Sequence, residues 1–273
     1  MIRRDDRARL SRADDPGTLA EALGDARFAD IKNPMPVDVL RAFAAALSNC
    51  AHLRIRVYED ALDPALEAVN AFRGLAHARL WLLTSSSTKL DFDALDGHDA
   101  LERVRLTFGG RRDLRWLCAL PRLLDLELWR ITKLADDDLA VLGETHLEAL
   151  VVGAARHVTS LAFAPATLRH VELERVGGLS TFETLETPSL GTVILNESRP
   201  ADRRLVPLTR FPLDLVQIGD VYPHDEVAEL TRRFRGRMLW IRGDCVVDSP
   251  GLAPDLGWRQ LLDHVDAERR GAG

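Results

Sequence analysis

Three short segments carry residue types that could bind an ion. Residues 109–113, Gly-Gly-Arg-Arg-Asp, offer arginines and backbone amides to an anion, but a strand-to-helix turn explains these glycines equally well, and we favour the turn. Residues 136–138 are three aspartates, yet no fourth oxygen donor follows at loop spacing, so capping of a helix is the better interpretation. Cys50 and His52 are too few for structural zinc, and Cys50 fits a buried small hydrophobe.

Motifs typical of enzymes are missing from the sequence. It contains no Walker loop, no Gly-x-Gly-x-x-Gly after a strand, no Gly-x-Ser-x-Gly and no His-Glu-x-x-His. Its eight histidines form no cluster along the chain. Catalytic residues that meet only in space stay open as an alternative. The sequence otherwise predicts a protein that is not an enzyme and needs no cofactor and no metal.

A short apolar pattern recurs nine times along the chain. It also predicts which face of a sheet each residue next to an apolar position occupies. Each copy reads apolar, two residues, apolar, one residue, apolar, and successive copies are 21 to 26 residues apart. A period in this range predicts short parallel strands stacked side by side, one in each repeat. The middle apolar positions are Leu53, Ala78, Val104, Leu126, Leu150, Val171, Val193, Val216 and Leu239.

Residues 50–243, about seven-tenths of the chain, resemble the leucine-rich-repeat family in period and strand pattern. The resemblance implies an α/β fold, a horseshoe-shaped solenoid with about nine parallel strands on its concave face, and a habit of binding proteins there. The chain departs from the family just after the strands, where Asn, Cys or Thr is usual and Ile131, Ala155 and Val176 stand instead. We therefore expect no asparagine ladder and an irregular curvature.

The segments that flank the repeat predict caps. Residues 1–15 are charged and poor in apolar residues, which indicates a flexible start. Residues 16–49 carry two helical patterns and are expected to form a helical N-terminal cap over the first open face of the core. The solenoid is expected over residues 50–243. Residues 244–273 are expected to supply a C-terminal cap helix, around residues 258–265, and a tail.

Side chains that alternate with the apolar positions should line the concave face. In the first three repeats they include five arginines and no carboxylate, and in the next three they include four carboxylates and no lysine or arginine. Three of the five tryptophans also fall there, and Trp and Arg are enriched at binding hot spots. The predicted partner-binding residues are Arg54, Arg56, Arg79, Trp81, Arg103, Arg105, Asp125, Glu127, Trp129, Glu172, Glu174 and Trp240.

The same charge pattern has two plainer explanations. Concave positions of such repeats are generally polar and variable, so charges can segregate by chance. The arginines and carboxylates also adjoin one another where the third repeat meets the fourth, so they could neutralise each other. We call the five concave arginines the arginine block. Neutralisation would lower the affinity of the arginine block for phosphate groups.

Composition narrows the range of partners and locations. A net charge of −6 and a pI near 5.8 argue against general affinity for nucleic acid or anionic membrane. No apolar run approaches the length of a membrane span, and the start lacks the apolar core of a secretory signal. Only three cysteines occur, far apart, which fits a reducing compartment. We expect a cytoplasmic protein, and its use of arginine over lysine suggests a GC-rich bacterial genome.

Three hypotheses for function follow. The first is a non-enzymatic protein that binds another protein in its concave face, with an immunity or antitoxin-like protein that occludes a toxin as the sharper version. The second is a regulatory or substrate-recruiting subunit of a larger complex. The third, disfavoured by the overall acidity, is a binder of RNA or a nucleotide polyphosphate at the arginine block. The sequence does not choose between the first two, because both use the same surface.

Overall fold

The computed structural model describes residues 2–4, 6–50, 52–75, 79–84, 90–107, 113–219, 222–242 and 244–248. Thirteen strands form one sheet in which each strand pairs with its neighbours in sequence order. The strands are β1 Ile2–Arg4, β2 Arg7–Arg9, β3 Phe28–Ile31, β4 Arg54–Tyr58, β5 Arg79–Leu83, β6 Leu101–Thr107, β7 Asp125–Trp129, β8 Ala149–Gly153, β9 His170–Glu174, β10 Thr192–Asn196, β11 Leu215–Ile218, β12 Met238–Ile241 and β13 Asp244–Asp248.

Eleven of these strands, β2 to β12, are parallel, and an antiparallel strand closes each end of the row. Strands of three to seven residues whose order follows the sequence, joined by short return segments, define a solenoid. The architecture confirms the predicted leucine-rich-repeat solenoid, with eleven parallel strands where the sequence predicted about nine.

The return segments are short helices or irregular turns. The α-helices are α1 Leu19–Leu23, α2 Val37–Leu47, α3 Glu67–Asn70, α4 Asp136–Leu139 and α5 His224–Arg233. The 3₁₀ helices are Glu59–Ala61, Phe92–Leu95, Arg115–Ala119, Ala140–Glu144 and Val206–Arg210. Pro207 lies in the first turn of the last of these, where its missing N–H is tolerated because that group would have no partner within the helix. Among the described residues, none of the helices has the length and apolar content of a membrane span.

One ladder of buried apolar side chains runs the length of the sheet. Its rungs are at most 2 % exposed and lie opposite one another from strand to strand: Ile31, Val57, Leu82, Val104, Leu126, Leu150, Val171, Val193, Val216 and Leu239. Between this ladder and the return segments lies the core. We call the sheet face turned away from this core the concave face.

The register of the first repeats differs from the predicted one. The sequence placed Leu53 in the middle position of the first repeat, but Leu53 precedes β4 and Val57 occupies the rung. Leu82 likewise takes the position given to Ala78, which lies outside the described residues. Leu53, Ile55 and Val57 are all apolar, so the pattern fits two registers four residues apart, and both keep the same faces.

Three strands lie before residue 50, where the sequence predicted a flexible start and a helical cap. Strand β2 and strand β3 continue the parallel ladder towards the N-terminus, and helices α1 and α2 flank β3. The short apolar side chains Ala8 and Ala29 fill their core positions, which a search for large apolar residues overlooks. The predicted C-terminal helix around residues 258–265 and the Gly-rich turn at 109–112 lie outside the described residues.

Candidate functional site

The structure places all twelve predicted site residues at strand positions that alternate with the core ladder. Five strands carry eleven of them: β4, β5, β6, β7 and β9, while Trp240 stands alone on β12. Parallel pairing sets Arg103 opposite Asp125, and Arg105 opposite Glu127, on neighbouring strands. The charged residues of β6 and β7 therefore come together, as the order of the repeats predicted.

Glu127 is the centre of this charged group. Its carboxylate accepts hydrogen bonds from Arg103 Nε at 3.1 Å and Nη2 at 2.7 Å, and from Arg105 Nε at 2.7 Å. The indole Nε1 of Trp129 donates to the same carboxylate at 3.1 Å. Arg103 also contacts Asp125 at 3.0 Å. Glu127 is 1 % exposed and Arg103 2 %, so this pair is buried within the fold and is not free to bind a partner.

Two further concave arginines also have acidic partners within the chain. Arg56 pairs with Asp30 of β3 at 2.6 Å, and Arg79 binds Glu102 of β6 through both its Nε and Nη2 atoms. The sequence analysis missed both carboxylates. Asp30 lies in the segment predicted as a cap. Glu102 is an extra residue at a β-bulge, where Leu80 faces Leu101 but Trp81 already faces Arg103.

Aromatic rings stack between these arginines. The guanidinium of Arg56 lies 4.4 Å from the centre of the Phe28 ring, and that of Arg103 lies 4.5 Å from Trp81. The Phe28 and Trp81 rings meet edge to face at 5.5 Å. Rings and cations at these distances attract one another. The arginine block is thus built into the fold, as the neutralisation alternative expects.

Glu172 of β9 contrasts with Glu127. It is 7 % exposed, and the residues opposite it on β8 and β10 are the apolar Val151 and Ile194. Its Oε2 atom has no hydrogen-bond partner among the described residues. The pKa of this carboxyl is raised to about 7, mainly by burial and also by the nearby charges of Glu174 and Asp125, while the charge of Arg105 acts in the opposite direction. The side chain holds a buried oxygen that an additional donor would satisfy.

Trp129 lies two strands away from Glu172 and Glu174 of β9, on the same face of the sheet. Trp129, Gly153, Glu174 and Asn196 are successive neighbours across β7 to β10. The indole lies over Gly153, where a Cβ atom would collide with its six-membered ring. Gly153 therefore lets a half-buried indole lie over β8, the strand that separates it from Glu174. We call Trp129, Glu172 and Glu174 the central concave site.

His170, which the sequence did not single out, is fully buried on the same strand as Glu172. Burial lowers its pKa to about 3, and the charge of Arg103 acts in the same direction. The imidazole is therefore neutral at physiological pH. The alternation of β9 alone places it on the concave face, but its burial depends on neighbouring strands.

The tryptophans do not form one cluster. Trp81 faces Arg103, whereas Trp129 faces Thr107, so the two indoles are offset by four residues along the strands as well as by two strands. These offsets correspond to roughly 13 Å and roughly 10 Å. Trp240 packs at the far end of the sheet against an apolar concave cluster of Ile194, Leu215 and Met238. The indole of Trp129 lies over Gly153 of β8, the strand that pairs with β9.

Of the aspartates at residues 136–138, Asp138 behaves as the capping interpretation predicts, whereas Asp136 binds the next repeat. Asp138 accepts a hydrogen bond from the backbone N–H of Ala135 at 3.0 Å, at the start of α4. Asp136 accepts from the backbone N–H groups of Thr159 at 2.9 Å and Ser160 at 3.3 Å in the next repeat. Within the described ranges, no group of three or more His, Cys, Asp and Glu side chains is placed to hold a metal ion.

No protein-family model matches the chain, and no curated protein matches it in sequence. Similar solved structures include the TLR13–ssRNA13 complex, at 15 % identity and a TM-score of 0.45 over 78 % of this chain and 39 % of that one. Internalin C2 from Listeria monocytogenes is 14 % identical, with a TM-score of 0.49 over 72 % of this chain and 80 % of its own. The internalin InlF from the same organism is 14 % identical, with a TM-score of 0.37 over 78 % and 80 %.

This chain thus spans well under half of the TLR13 chain. At these identities the likeness concerns the repeat architecture, which the strand order and register of this chain establish by themselves.

Proposed function

We propose that the protein is a non-enzymatic binding protein that holds another protein against its concave face. The observation that carries the proposal is the central concave site, where the half-buried indole of Trp129 accompanies a buried Glu172 oxygen that lacks a partner in the described chain. An unsatisfied buried acceptor costs free energy that a bound donor recovers. In the arginine block, by contrast, four of the five arginines form ion pairs with carboxylates of this chain: Arg56, Arg79, Arg103 and Arg105.

The arrangement favours a protein partner over a nucleic acid. Trp is enriched at the centres of protein interfaces, where its large ring is buried with little loss of side-chain entropy. A phosphate backbone would need free cations, whereas Arg56, Arg79 and Arg103 each bind a carboxylate of this chain. We therefore place RNA or a nucleotide polyphosphate below a protein as the partner.

Within this proposal the protein acts as an immunity or antitoxin-like partner that occludes a toxin. Occlusion needs a surface that holds the toxin in one position, and the carboxylates of Glu172 and Glu174 in the central concave site supply charges for this. A regulatory or recruiting subunit would use the same surface and differs only in leaving its client active. We propose a cytoplasmic location, which the free thiols of Cys50 and Cys118 support.

Affinity capture from the native host, followed by calorimetry with the recovered protein, tests the proposal. Trp129→Ala is expected to weaken binding by about 2 kcal/mol, as truncation of an interface anchor typically does. Glu186→Ala, an exposed residue of the segment that returns from β9 to β10, is the control and is expected to bind like the wild type. Full affinity in Trp129→Ala, with binding lost on changes to the return segments, would show that the interface is elsewhere.

A further inference from the structure

We infer that the central concave site receives a cationic side chain, lysine or arginine, from the protein partner. The inference rests on the proposed function and adds to it the chemistry of the group that is bound. Glu172 and Glu174 are two residues apart on β9 and share the concave face, so their Cα atoms are about 7 Å apart. A single ammonium or guanidinium group can contact both carboxylates across that distance.

The Glu172 carboxyl is the part of the site that lacks a donor. It is 7 % exposed, and its Oε2 atom has no hydrogen-bond partner in the described chain. The opposite residues Val151 and Ile194 have no polar side-chain atoms to offer. A charged donor from outside would give this oxygen a charge-assisted hydrogen bond, which is among the stronger contacts available in a protein interface.

Trp129 adds an aromatic surface to the carboxylates. The indole lies over Gly153, immediately before Glu174 in the same row of residues. An aromatic face beside two carboxylates suits an alkylammonium or guanidinium group, because the ring attracts cations and packs against the apolar stem of the side chain. An anionic group would instead be repelled by the Glu174 carboxylate and by the net charge of −6 of the chain.

The cations of this chain nearest the site have their shortest ion pairs elsewhere. Arg105 directs its Nε atom to Glu127, and Arg175, which is 61 % exposed, contacts Glu197 at 3.0 Å and Glu174 only at 3.7 Å. Among the charged groups that act on Glu172, Glu174 and Asp125 oppose its ionisation, whereas Arg105 favours it. His170 on the same strand is neutral at physiological pH, because its pKa is lowered to about 3.

The test uses two synthetic peptides that differ in one charge, acetyl-Gly-Gly-Arg-Gly-Gly-amide and the same peptide with citrulline in place of arginine. Both are titrated into the whole protein and followed by ¹H–¹⁵N NMR. The arginine peptide is expected to shift the Trp129 indole N–H signal and the Gly153 and Glu174 amides at millimolar concentration, at least tenfold more tightly than the citrulline peptide. Affinity should rise from pH 6 to pH 8 as Glu172 ionises.

Three variants separate the site from general attraction to an acidic chain. Glu172→Gln and Glu174→Gln together are expected to weaken binding at least tenfold, and Glu172→Gln alone should abolish the pH dependence. Glu186→Gln removes the same charge outside the site and should change nothing. Equal binding of the two peptides, or shifts that do not involve the Trp129 indole, would overturn the inference. That result would not contradict the proposed function. The proposed function is contradicted if the captured protein binds Trp129→Ala with the same affinity as the wild type.

Discussion

The indole of Trp129 lies over Gly153 on the neighbouring strand, in space that any larger residue would fill. The contact links the fold to the proposed site, because it determines where the half-buried ring of Trp129 is held. The adjacent Glu127 fixes the other end of the indole by accepting its Nε1–H at 3.1 Å. A single glycine therefore helps to position the aromatic part of the central concave site.

Gly153→Ala is expected to displace the indole and to lower the free energy of unfolding by about 1–3 kcal/mol, as overpacking typically does. Urea denaturation measures this loss, and the NMR signal of the Trp129 indole N–H reports the displacement. Gly191→Ala is the control, since a Cβ atom there would meet only Arg169 O at an ordinary 3.8 Å. Equal stability of the two variants would show that the indole has room to move.

Arg103→Met is expected to destabilise the protein by about 3–5 kcal/mol, because it leaves the buried carboxylate of Glu127 without its main partner. Thermal or urea unfolding gives the difference. Arg115→Met breaks an ion pair with Asp113 in which both side chains are more than half exposed, and it should leave stability unchanged. A loss no larger in Arg103→Met than in this control would contradict the central position given to Glu127.

Glu172 makes stability depend on pH in a defined direction. Its pKa in the folded chain is raised to about 7 from an ordinary 4.5, so the fold favours the neutral carboxyl. Its stabilising contribution is therefore complete below about pH 4.5 and is lost as pH rises through about 7. The unfolding free energy of Glu172→Gln minus that of the wild type should increase by about 1–3 kcal/mol between about pH 5 and pH 8.

Unfolding curves at several pH values check this prediction. His170 acts in the opposite direction, since its lowered pKa gives stability that is present above about pH 6.5 and lost as pH falls towards 3. It is present in both proteins, so its effect cancels in the difference. Glu186→Gln serves as the control and should run parallel to the wild type. A difference between Glu172→Gln and the wild type that stays constant with pH would mean that the carboxyl is already ionised at pH 5.

We expect no micromolar binding of RNA or DNA at physiological salt, because four of the five concave arginines already bind carboxylates of this chain. Filter binding with single-stranded RNA and duplex DNA is the measurement. Combining Asp30→Asn with Glu102→Gln should raise the affinity, since it frees Arg56 and Arg79. Micromolar affinity of the wild type with a steep dependence on salt would instead favour the arginine block as a nucleic-acid site.

The recurrence of apolar residues was enough to predict the solenoid and the faces of its strands. Leu126, Leu150 and Val171 are opposite one another in the core, and every predicted site residue alternates with such positions. This follows because side chains alternate strictly along a strand, so a two-residue pattern read from the sequence fixes which face each one occupies.

What the sequence by itself determined is therefore the fold and the face on which each side chain lies, while the tertiary structure decided which residues meet. The register of β4 and β5 depends on hydrogen bonds between strands and on the bulge at Glu102, because an even shift of register leaves the faces unchanged. The ion pairs of Arg56 with Asp30 and of Arg79 with Glu102 depend on this register and on the bulge, so the sequence pattern did not predict them. The raised pKa of Glu172 likewise needed the structure, since it arises from burial between strands that are distant in sequence.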